Sequence, residues 1–365
     1  MAKMIKKIAI LGDAMIPNSL FETAYDKILK SYCKEIIYGE YESVWANLQD
    51  RRLKVEQNGP EIEEVDPILA SGGKANDSEM VLGLFQPMSK KMMDQMPNLK
   101  IVGVCRAGVE NVNVEAATKK GILVFNVQGR NAEAVSDFTL GLMLSEIRNI
   151  ARAHFSIKNK EWRKVFSNSD NVMELKGKTI GLVGFGYIGQ LVAKKLSGFD
   201  VNIIVYDPYI KEETAKKLGV KLVEKEELFK TSDIVSVHAR LLPSTKGIID
   251  KKSIDSMKKT AIFINTARSG LVDYEALAVV LKEKRILGAA LDVFETEPLD
   301  ENSPLIALDN VTLTTHIAGT TSEVLANSPG MLMNDIKNTL EGGQSYFIVN
   351  PEVLDNAEFK AWLKN

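Results

Sequence analysis

A glycine-rich turn in the middle of the chain carries the clearest chemical signal. The apolar run 180–183 reads as a strand and leads into Gly184-Phe-Gly186-Tyr-Ile-Gly189, which has the spacing G-x-G-x-x-G. In that spacing the first glycine permits a tight turn, the second lets the backbone approach a pyrophosphate, and the third lets the next helix pack on the sheet. Because the start of that helix offers free N–H groups and positive partial charge, the pattern predicts a phosphate-binding turn.

An acidic residue at the end of the next strand completes this pattern. The apolar stretch 201–206 ends at Asp207, 18 residues after Gly189. A carboxylate here accepts hydrogen bonds from ribose hydroxyls and repels a 2′-phosphate, so the pattern favours NAD over NADP. The alternative is a glycine-rich turn of another α/β protein, with Asp207 as a helix cap. The predicted cofactor-binding residues of this region are Gly184, Gly186, Tyr187, Ile188, Gly189 and Asp207.

Three further side chains follow successive predicted strands. Arg268 follows the strand at 261–265, Glu297 follows 288–292, and His316 follows 311–315. Doubly wound sheets hold their ligands at the carboxyl ends of the strands, which makes these three residues candidates for chemistry. Each alone has a plainer explanation. Arg268 could form a surface ion pair, Glu297 could serve turn chemistry, and His316 could be a capped strand end.

The spacing of apolar residues predicts the elements that must position these groups. The first 125 residues alternate short strands with helical stretches, which predicts a small parallel α/β layer. Its strands are expected at 8–11, 35–38, 80–85, 100–105 and 122–125, and its helices near 18–33, 43–57, 89–96 and 113–119. A long amphipathic helix is expected from 132 to 149, with helical residues continuing through Ile157 to about Trp162.

From about residue 178 the alternation resumes and predicts a doubly wound Rossmann sheet with the glycine turn on its first strand. Its strands are expected at 180–183, 201–206, 234–238, 261–265, 288–292 and 311–314. Helices are expected near 187–197, 211–218, 225–230, 252–258, 273–284 and 321–341.

Four motifs of the chain resemble those of the D-isomer-specific 2-hydroxyacid dehydrogenases, the family that includes phosphoglycerate, glycerate and D-lactate dehydrogenases. They are the glycine turn, Asn265-Thr-Ala-Arg-Ser-Gly-Leu-Val272, Leu291-Asp-Val-Phe-x-x-Glu-Pro298 and His316-Ile-Ala-Gly319. The resemblance covers nearly the whole chain. It implies an NAD-binding Rossmann domain, 127–318, inserted in a flavodoxin-like α/β substrate domain made of 1–126 and 319–365, with the substrate in the cleft between them.

The resemblance also implies an activity, the NAD-dependent interconversion of a D-2-hydroxy acid and its 2-oxo acid. Arg268 would grip the substrate carboxylate and polarise the carbonyl group. His316 would deliver a proton to the carbonyl oxygen and accept it in the opposite direction, and Glu297 would favour the protonated ring and fix its tautomer. A glutamate at position 297, where formate dehydrogenases of this fold have an amide, favours hydroxyacid chemistry. Thr266, Ala267 and Asp292 match further cofactor positions, with Asp292 at the nicotinamide carboxamide.

The loop that binds the substrate carboxylate in this family is unusual here. It reads Cys105-Arg-Ala-Gly-Val-Glu-Asn111, which puts Arg106 where a glycine is common, unless the loop is two residues shorter. We assign substrate binding to Arg106, Ala107, Gly108 and Arg130. One or both arginines could bind an extra anionic or polyhydroxy group; the alternative is that both serve structural ion pairs. The stretch 85–89 lacks the Arg-Ser pair usual in phosphoglycerate dehydrogenases, which favours a sugar-acid or glycerate type of substrate.

Composition narrows the remaining classes of function. The chain of 365 residues is long enough for two domains, and its net charge of −2 gives no reason to expect nucleic acid or an anionic membrane as partner. The two cysteines build no disulfide framework, and the N-terminal residues lack a signal-peptide pattern, so we expect a cytoplasmic protein.

We assign no metal ligands. The family's dimerisation region matches residues from Glu133 to Trp162, so we expect a symmetric homodimer. The alternative to an enzyme is an NAD(H)-sensing, corepressor-like binding protein.

Overall fold

Two parallel β-sheets organise the chain, one in each of two units. The computed structural model describes residues 3–364. The first unit extends to Arg130 and resumes at Thr321, and the second unit is Asn131–Thr320. The second unit is therefore an insertion in the sequence of the first.

The N-terminal part of the first unit alternates strands and helices, as predicted. The strands are β1 (Ile5–Asp13), β2 (Cys33–Glu42), β3 (Met80–Gly83), β4 (Ile101–Val104) and β5 (Leu123–Phe125). The helices are α1 (Asn18–Ile28), α2 (Trp45–Asn58), α3 (Lys90–Asp94) and α4 (Val114–Lys119). The strands pair in parallel in the order β2-β1-β3-β4-β5, which is the flavodoxin-like order.

The second unit contains the larger sheet. Its strands are β6 (Thr179–Val183), β7 (Asn202–Tyr206), β8 (Lys221–Leu222), β9 (Ile234–Val237), β10 (Ile262–Asn265), β11 (Gly288–Leu291) and β12 (Val311–Leu313). Its helices are α5 (Ala132–Ile147), α6 (Ile150–Lys158), α7 (Tyr187–Leu196), α8 (Glu212–Lys217), α9 (Lys225–Thr231), α10 (Lys251–Asp255) and α11 (Tyr274–Lys282). The parallel order β12-β11-β10-β9-β6-β7-β8 reverses direction at β6, so the predicted doubly wound Rossmann sheet is confirmed.

The prediction of a long amphipathic helix from 132 to 149, with helical residues continuing to about Trp162, is wrong in three respects. The helix breaks after α5, because Asn149 takes a left-handed conformation with φ of 57°, and α6 ends at Lys158. Asparagine tolerates this conformation, and here its side-chain oxygen accepts a hydrogen bond of 2.9 Å from Arg152. Helix α5 is also not amphipathic, because it packs against α7 and against three strands of the sheet, β10 to β12.

The C-terminal segment returns to the first unit. It contains α12 (Ser322–Leu340) and α13 (Ala357–Lys364), and α12 packs on α1 with Leu332 and Ile336 in the apolar core. Between the two helices, the backbone follows the edge strand β5, where the N–H of Val349 donates to the carbonyl of Val124 over 2.8 Å. Residues 321–364 therefore belong to the same folded unit as residues 3–130.

Alternating apolar side chains fill both faces of the sheets. In β1, Ile8 and Ile10 enter one buried cluster, whereas Ala9 and Leu11 enter another on the opposite face. The second unit likewise has two buried clusters. Within residues 3–364, no helix combines the length and the apolar character needed to span a bilayer.

Candidate active site

The glycine turn after β6 has the backbone that its sequence requires. Gly184 has a φ of 93°, and a Cβ atom there would lie 2.5 Å from the backbone nitrogen of Ala239. A Cβ atom on Gly189 would collide with the carbonyl oxygen of Gly184. A Cβ atom on Gly186 would instead meet no atom within 4 Å. Gly184 and Gly189 are thus required by packing, whereas Gly186 leaves open space beside the start of α7, as a bound pyrophosphate needs.

Asp207 lies directly after β7 and faces the same turn. Its Oδ2 accepts the N–H of Phe185 over 2.7 Å, and its Oδ1 accepts the N–H of Tyr209 over 2.8 Å. Each oxygen keeps a further lone pair, which suits it to a ribose hydroxyl. Asp207 and the glycine turn line a cleft of about 180 Å³ together with residues between 238 and 248. These residues fit NAD.

His238, which follows β9, forms an uncharged wall of this cleft. Its Nε2 lies 2.9 Å from the hydroxyl of Ser236, and its Nδ1 has no partner among the described residues. Burial lowers the pKa of His238 to about 3. The ring is therefore neutral at physiological pH and is not suited to proton transfer there.

His316 and Glu297 form a hydrogen-bonded pair at the same edge of the sheet. The His316 Nδ1 lies 2.7 Å from Glu297 Oε2, and Glu297 Oε1 accepts the N–H of Phe294 over 3.0 Å. Because a carboxylate only accepts, the Nδ1 atom carries a proton, and Nε2 is the nitrogen that can exchange a proton with a ligand. The His316 side chain is 44% exposed, so a ligand can reach it.

Asp292 fixes the segment that carries His316. This buried carboxylate accepts the hydroxyl of Thr314 over 2.6 Å, the N–H of Ile317 over 3.0 Å and the N–H of Ala318 over 2.9 Å. His316 has a left-handed backbone with φ of 56°, which is unfavourable for a histidine. The three hydrogen bonds hold the segment in this conformation, so the structure reveals a positioning contact at Asp292; its predicted contact with the cofactor stays a prediction.

Arg268 follows β10 and is exposed. Its Nη1 donates to the carbonyl of Ala267 over 2.7 Å, and no carboxylate lies within 4 Å of its guanidinium among residues 3–364. Asn265 orders this turn, because its Oδ1 accepts the N–H of Ala267 over 3.0 Å and its Nδ2 donates to the carbonyl of Arg268 over 3.2 Å. The guanidinium is therefore available to a ligand carboxylate rather than engaged in an ion pair.

Tyr274 joins two of these segments and was not singled out from the sequence. Its buried hydroxyl donates to the carbonyl of Val293 over 2.5 Å and accepts a hydrogen bond of 3.2 Å from Asn265. Burial raises the pKa of Tyr274, so the hydroxyl stays protonated. The residue links the turn of Arg268 to the segment of Glu297. No local sequence pattern predicts this role, because the two hydrogen-bond partners of Tyr274, Val293 and Asn265, lie in other segments.

Thr266 is buried, and its hydroxyl pairs with the hydroxyl of Thr139 over 2.8 Å. This hydrogen bond fastens the end of β10 to α5. The side chain of Thr266 is therefore engaged inside the unit. A contact between this turn and the cofactor would come from the backbone of Thr266 or from Ala267.

In the first unit, Arg106 forms ion pairs. Its Nη2 lies 2.7 Å from Glu56 and 3.0 Å from Glu110, and its guanidinium lies over the ring of Phe85 at 5.0 Å. The following residue, Ala107, accepts a hydrogen bond of 2.6 Å from Asn126. The ion-pair alternative considered for Arg106 is thus present in the structure.

Arg130 is different. Its Nη1 lies 3.4 Å from the hydroxyl of Ser328, and no carboxylate lies within 4 Å among the residues described. Burial lowers the pKa of Arg130, and the neighbouring Arg106 adds to the effect. This partly buried cation lacks the ion pair that the alternative requires, which leaves substrate binding as its predicted role.

The sequence of this chain is similar to those of known proteins. Residues 140–318 match the family model described as "D-isomer specific 2-hydroxyacid dehydrogenase, NAD binding domain". The chain is 43% identical to a D-3-phosphoglycerate dehydrogenase of Methanocaldococcus jannaschii over 72% of its own length and 50% of that protein. It is 41% identical to a glyoxylate reductase of Thermofilum pendens over 74% of its length and 80% of that protein.

A solved structure shares the fold. The NAD-complexed D-isomer specific 2-hydroxyacid dehydrogenase of Lactobacillus delbrueckii ssp. bulgaricus aligns with a TM-score of 0.71 at 24% identity, over 94% of this chain and all of that one. The chain spans about half the length of the phosphoglycerate dehydrogenase it matches. NAD is the cofactor of the second unit. The glyoxylate reductase match extends over most of both proteins, so the chain belongs to the D-isomer specific 2-hydroxyacid dehydrogenase family.

Proposed function

We propose that this chain interconverts a D-2-hydroxy acid and its 2-oxo acid with NAD as the hydride carrier. One observation carries the proposal. Arg268, Glu297 and His316 follow three adjacent parallel strands, β10, β11 and β12, and the His316–Glu297 pair is formed over 2.7 Å. Besides a hydride carrier, this reaction needs a proton donor and a ligand for the carboxylate, and this edge of the sheet offers both.

In the reduction, His316 gives the proton on Nε2 to the carbonyl oxygen of the 2-oxo acid. Glu297 holds the Nδ1–H and stabilises the positive charge that the ring carries before transfer. Arg268 binds the carboxylate with its planar fork and draws electron density from the neighbouring carbonyl group. NADH, when bound, supplies the hydride to C2. In the oxidation, the neutral Nε2 takes the proton of the hydroxyl group.

The same proposal assigns each unit a task. The second unit binds NAD through the glycine turn and Asp207, and the first unit binds the substrate through Arg106, Ala107, Gly108 and Arg130. The domain boundaries of 1–126 with 319–365, and of 127–318, remain our predictions, as does the cytoplasmic location.

We also propose that the chain forms a homodimer. Four large apolar side chains between residues 155 and 165 are exposed, among them Phe155 at 68% and Trp162 at 79%. Single exposed apolar residues are common, but a run of them within residues 155–165 is typical of an interface. Light scattering should give twice the chain mass for the wild type, and a Trp162→Glu variant should shift it toward the monomer. A monomeric wild type would refute the dimer.

The enzymatic proposal is tested by NADH oxidation with glyoxylate, hydroxypyruvate and longer 2-oxo acids. We expect turnover with at least one of them, and a His316→Ala variant should lose roughly 10² to 10⁴ in turnover while binding NADH. Wild-type protein that binds NADH tightly but turns over no member of the panel would favour the sensor alternative.

A further inference from the structure

A cluster of charged residues surrounds one aromatic ring in the first unit. We define the tail subsite as Arg52, Glu56, Phe85, Arg106 and Glu110. The two guanidinium groups lie over the ring of Phe85, at 5.7 Å for Arg52 and 5.0 Å for Arg106. Arg52 and Glu56 lie on α2, and Arg106 and Glu110 lie between β4 and α4.

The tail subsite is electrically balanced. Glu56 lies 3.8 Å from Arg52 and 2.7 Å from Arg106, and Glu110 lies 3.0 Å from Arg106. Two positive groups thus face two negative groups. A phosphate or second carboxylate would have to compete with both glutamates for the arginines, whereas a neutral ligand meets no repulsion.

The tail subsite contains buried donors that lack a hydrogen-bond partner. They are Arg52 Nε and Arg106 Nη1, neither of which has such a partner among the described residues. Buried polar groups are normally paired, so these atoms point to a missing partner. The carboxylates of Glu56 and Glu110 place acceptor oxygens beside the same two arginines. Hydroxyl groups can donate and accept, whereas an ionised phosphate or carboxylate chiefly accepts, so hydroxyl groups match this mixture of donors and acceptors better.

The position of Glu110 ties the tail subsite to the predicted substrate loop. Its carboxylate folds back over Gly108, so closely that a Cβ atom on Gly108 would collide with it. The loop follows β4, at the carboxyl edge of a parallel sheet, where α/β folds bind their ligands. The tail subsite therefore adjoins the loop that is predicted to hold the substrate.

We propose that the tail subsite binds the hydroxyl-bearing carbon chain of the substrate, so that the preferred substrate is a polyhydroxy 2-oxo or 2-hydroxy acid without a phosphate group. Glu56 and Glu110 accept its hydroxyl groups, and the two arginines donate to them. This inference rests on the proposed dehydrogenase function and deepens it.

Calorimetric titration of NADH-loaded protein tests this without turnover, because a hydroxy acid cannot react with NADH. The ligands are glycolate, which has no tail, 2,3,4-trihydroxybutanoate, which has a hydroxyl tail, and 3-phosphoglycerate. We expect the trihydroxy acid to bind at least about tenfold more tightly than either of the others, as expected for hydrogen bonds to charged groups. Glu56→Gln and Glu110→Gln should each reduce this preference about tenfold.

Glu115→Gln is the matched control, because Glu115 pairs with Lys119 on the surface of the same unit, outside the tail subsite. It should keep the wild-type preference. Equal binding of the three ligands, or tighter binding of 3-phosphoglycerate, by the wild type would overturn the inference whatever the variants do. Failure of the dehydrogenase function would appear separately, as absence of NADH oxidation with every 2-oxo acid of the panel.

Discussion

Replacing Glu297 by glutamine removes the acceptor that holds the acid–base pair. The amide is nearly isosteric, but it has one acceptor where the carboxylate has two: if its oxygen keeps the N–H of Phe294, which lies 3.0 Å from Glu297 Oε1, its NH2 group faces Nδ1 of His316. What disappears is the charge-assisted bond of 2.7 Å to His316. Charge-assisted hydrogen bonds contribute about 1.5–3 kcal/mol and neutral ones about 0.5–1.5 kcal/mol, and a difference of about 1.4 kcal/mol is tenfold in rate.

We therefore expect Glu297→Gln to lower kcat/KM for a 2-oxo acid at least about tenfold in NADH-oxidation assays, since the tautomer of His316 is no longer fixed. The equilibrium constant belongs to the reactants, so the reverse reaction should lose the same factor as long as cofactor binding is unchanged. Glu295→Gln is the control, since Glu295 is exposed on the same segment and forms no ion pair among the described residues. Full activity of Glu297→Gln, or an equal loss in Glu295→Gln, would refute the assigned role.

Three further predictions concern the scaffold of the site. Gly186→Ala should weaken NADH binding at least about tenfold in a fluorescence titration, because its Cβ enters the open space that the pyrophosphate needs; for the same reason stability should change little. Gly184→Ala should instead lower stability, because the φ of Gly184 is 93° and a Cβ there would meet backbone atoms. Tyr274→Phe should lower the free energy of unfolding by about 1–3 kcal/mol in urea titrations and reduce kcat, because it removes the hydroxyl bound to Val293; unchanged stability would contradict this. Burial lowers the pKa of His238 to about 3 from an ordinary value of about 6.5. Below about pH 6.5 the unfolded chain therefore binds a proton that the folded chain does not, and the free energy of unfolding falls. Relative to His238→Gln, the free energy of unfolding of the wild type should fall by about 2 kcal/mol from pH 7 to pH 5, and parallel pH curves for the two proteins would refute the neutral ring.

The features that the sequence predicted correctly are governed by local rules. The glycine turn follows from steric requirements at Gly184 and Gly189, and both appear in the structure as close backbone contacts. The strand order also follows the rules for doubly wound sheets, so the positions of Arg268, Glu297 and His316 in the sequence were enough to predict that all three lie at one edge of the sheet.

What could not be predicted depends on polar contacts between side chains. Glu56, which pairs with Arg106, lies 50 residues away in the chain. The break between α5 and α6 depends on a polar contact that is close in the chain, because the left-handed Asn149 accepts a hydrogen bond from Arg152, three residues later. Spacing of apolar residues carries no information about such polar contacts.

Asp292 illustrates the limit of carrying over a family role. The resemblance gives it a contact with the nicotinamide, whereas the structure shows three hydrogen bonds to the segment that carries His316. Only the folded arrangement of β11 and β12 brings these groups together, so the positioning role could not be read from the motif.

The most direct test of the central claim is to follow the hydride itself. Wild-type protein is incubated with hydroxypyruvate and NADH that carries deuterium at both C4 positions, and the product is analysed by mass spectrometry and chiral chromatography. We predict D-glycerate with one deuterium at C2, formed much more slowly by His316→Ala. Absence of deuterium transfer to hydroxypyruvate and to every other 2-oxo acid of the panel across a hundredfold range of protein concentration, or formation of the L-isomer, would contradict the proposed function.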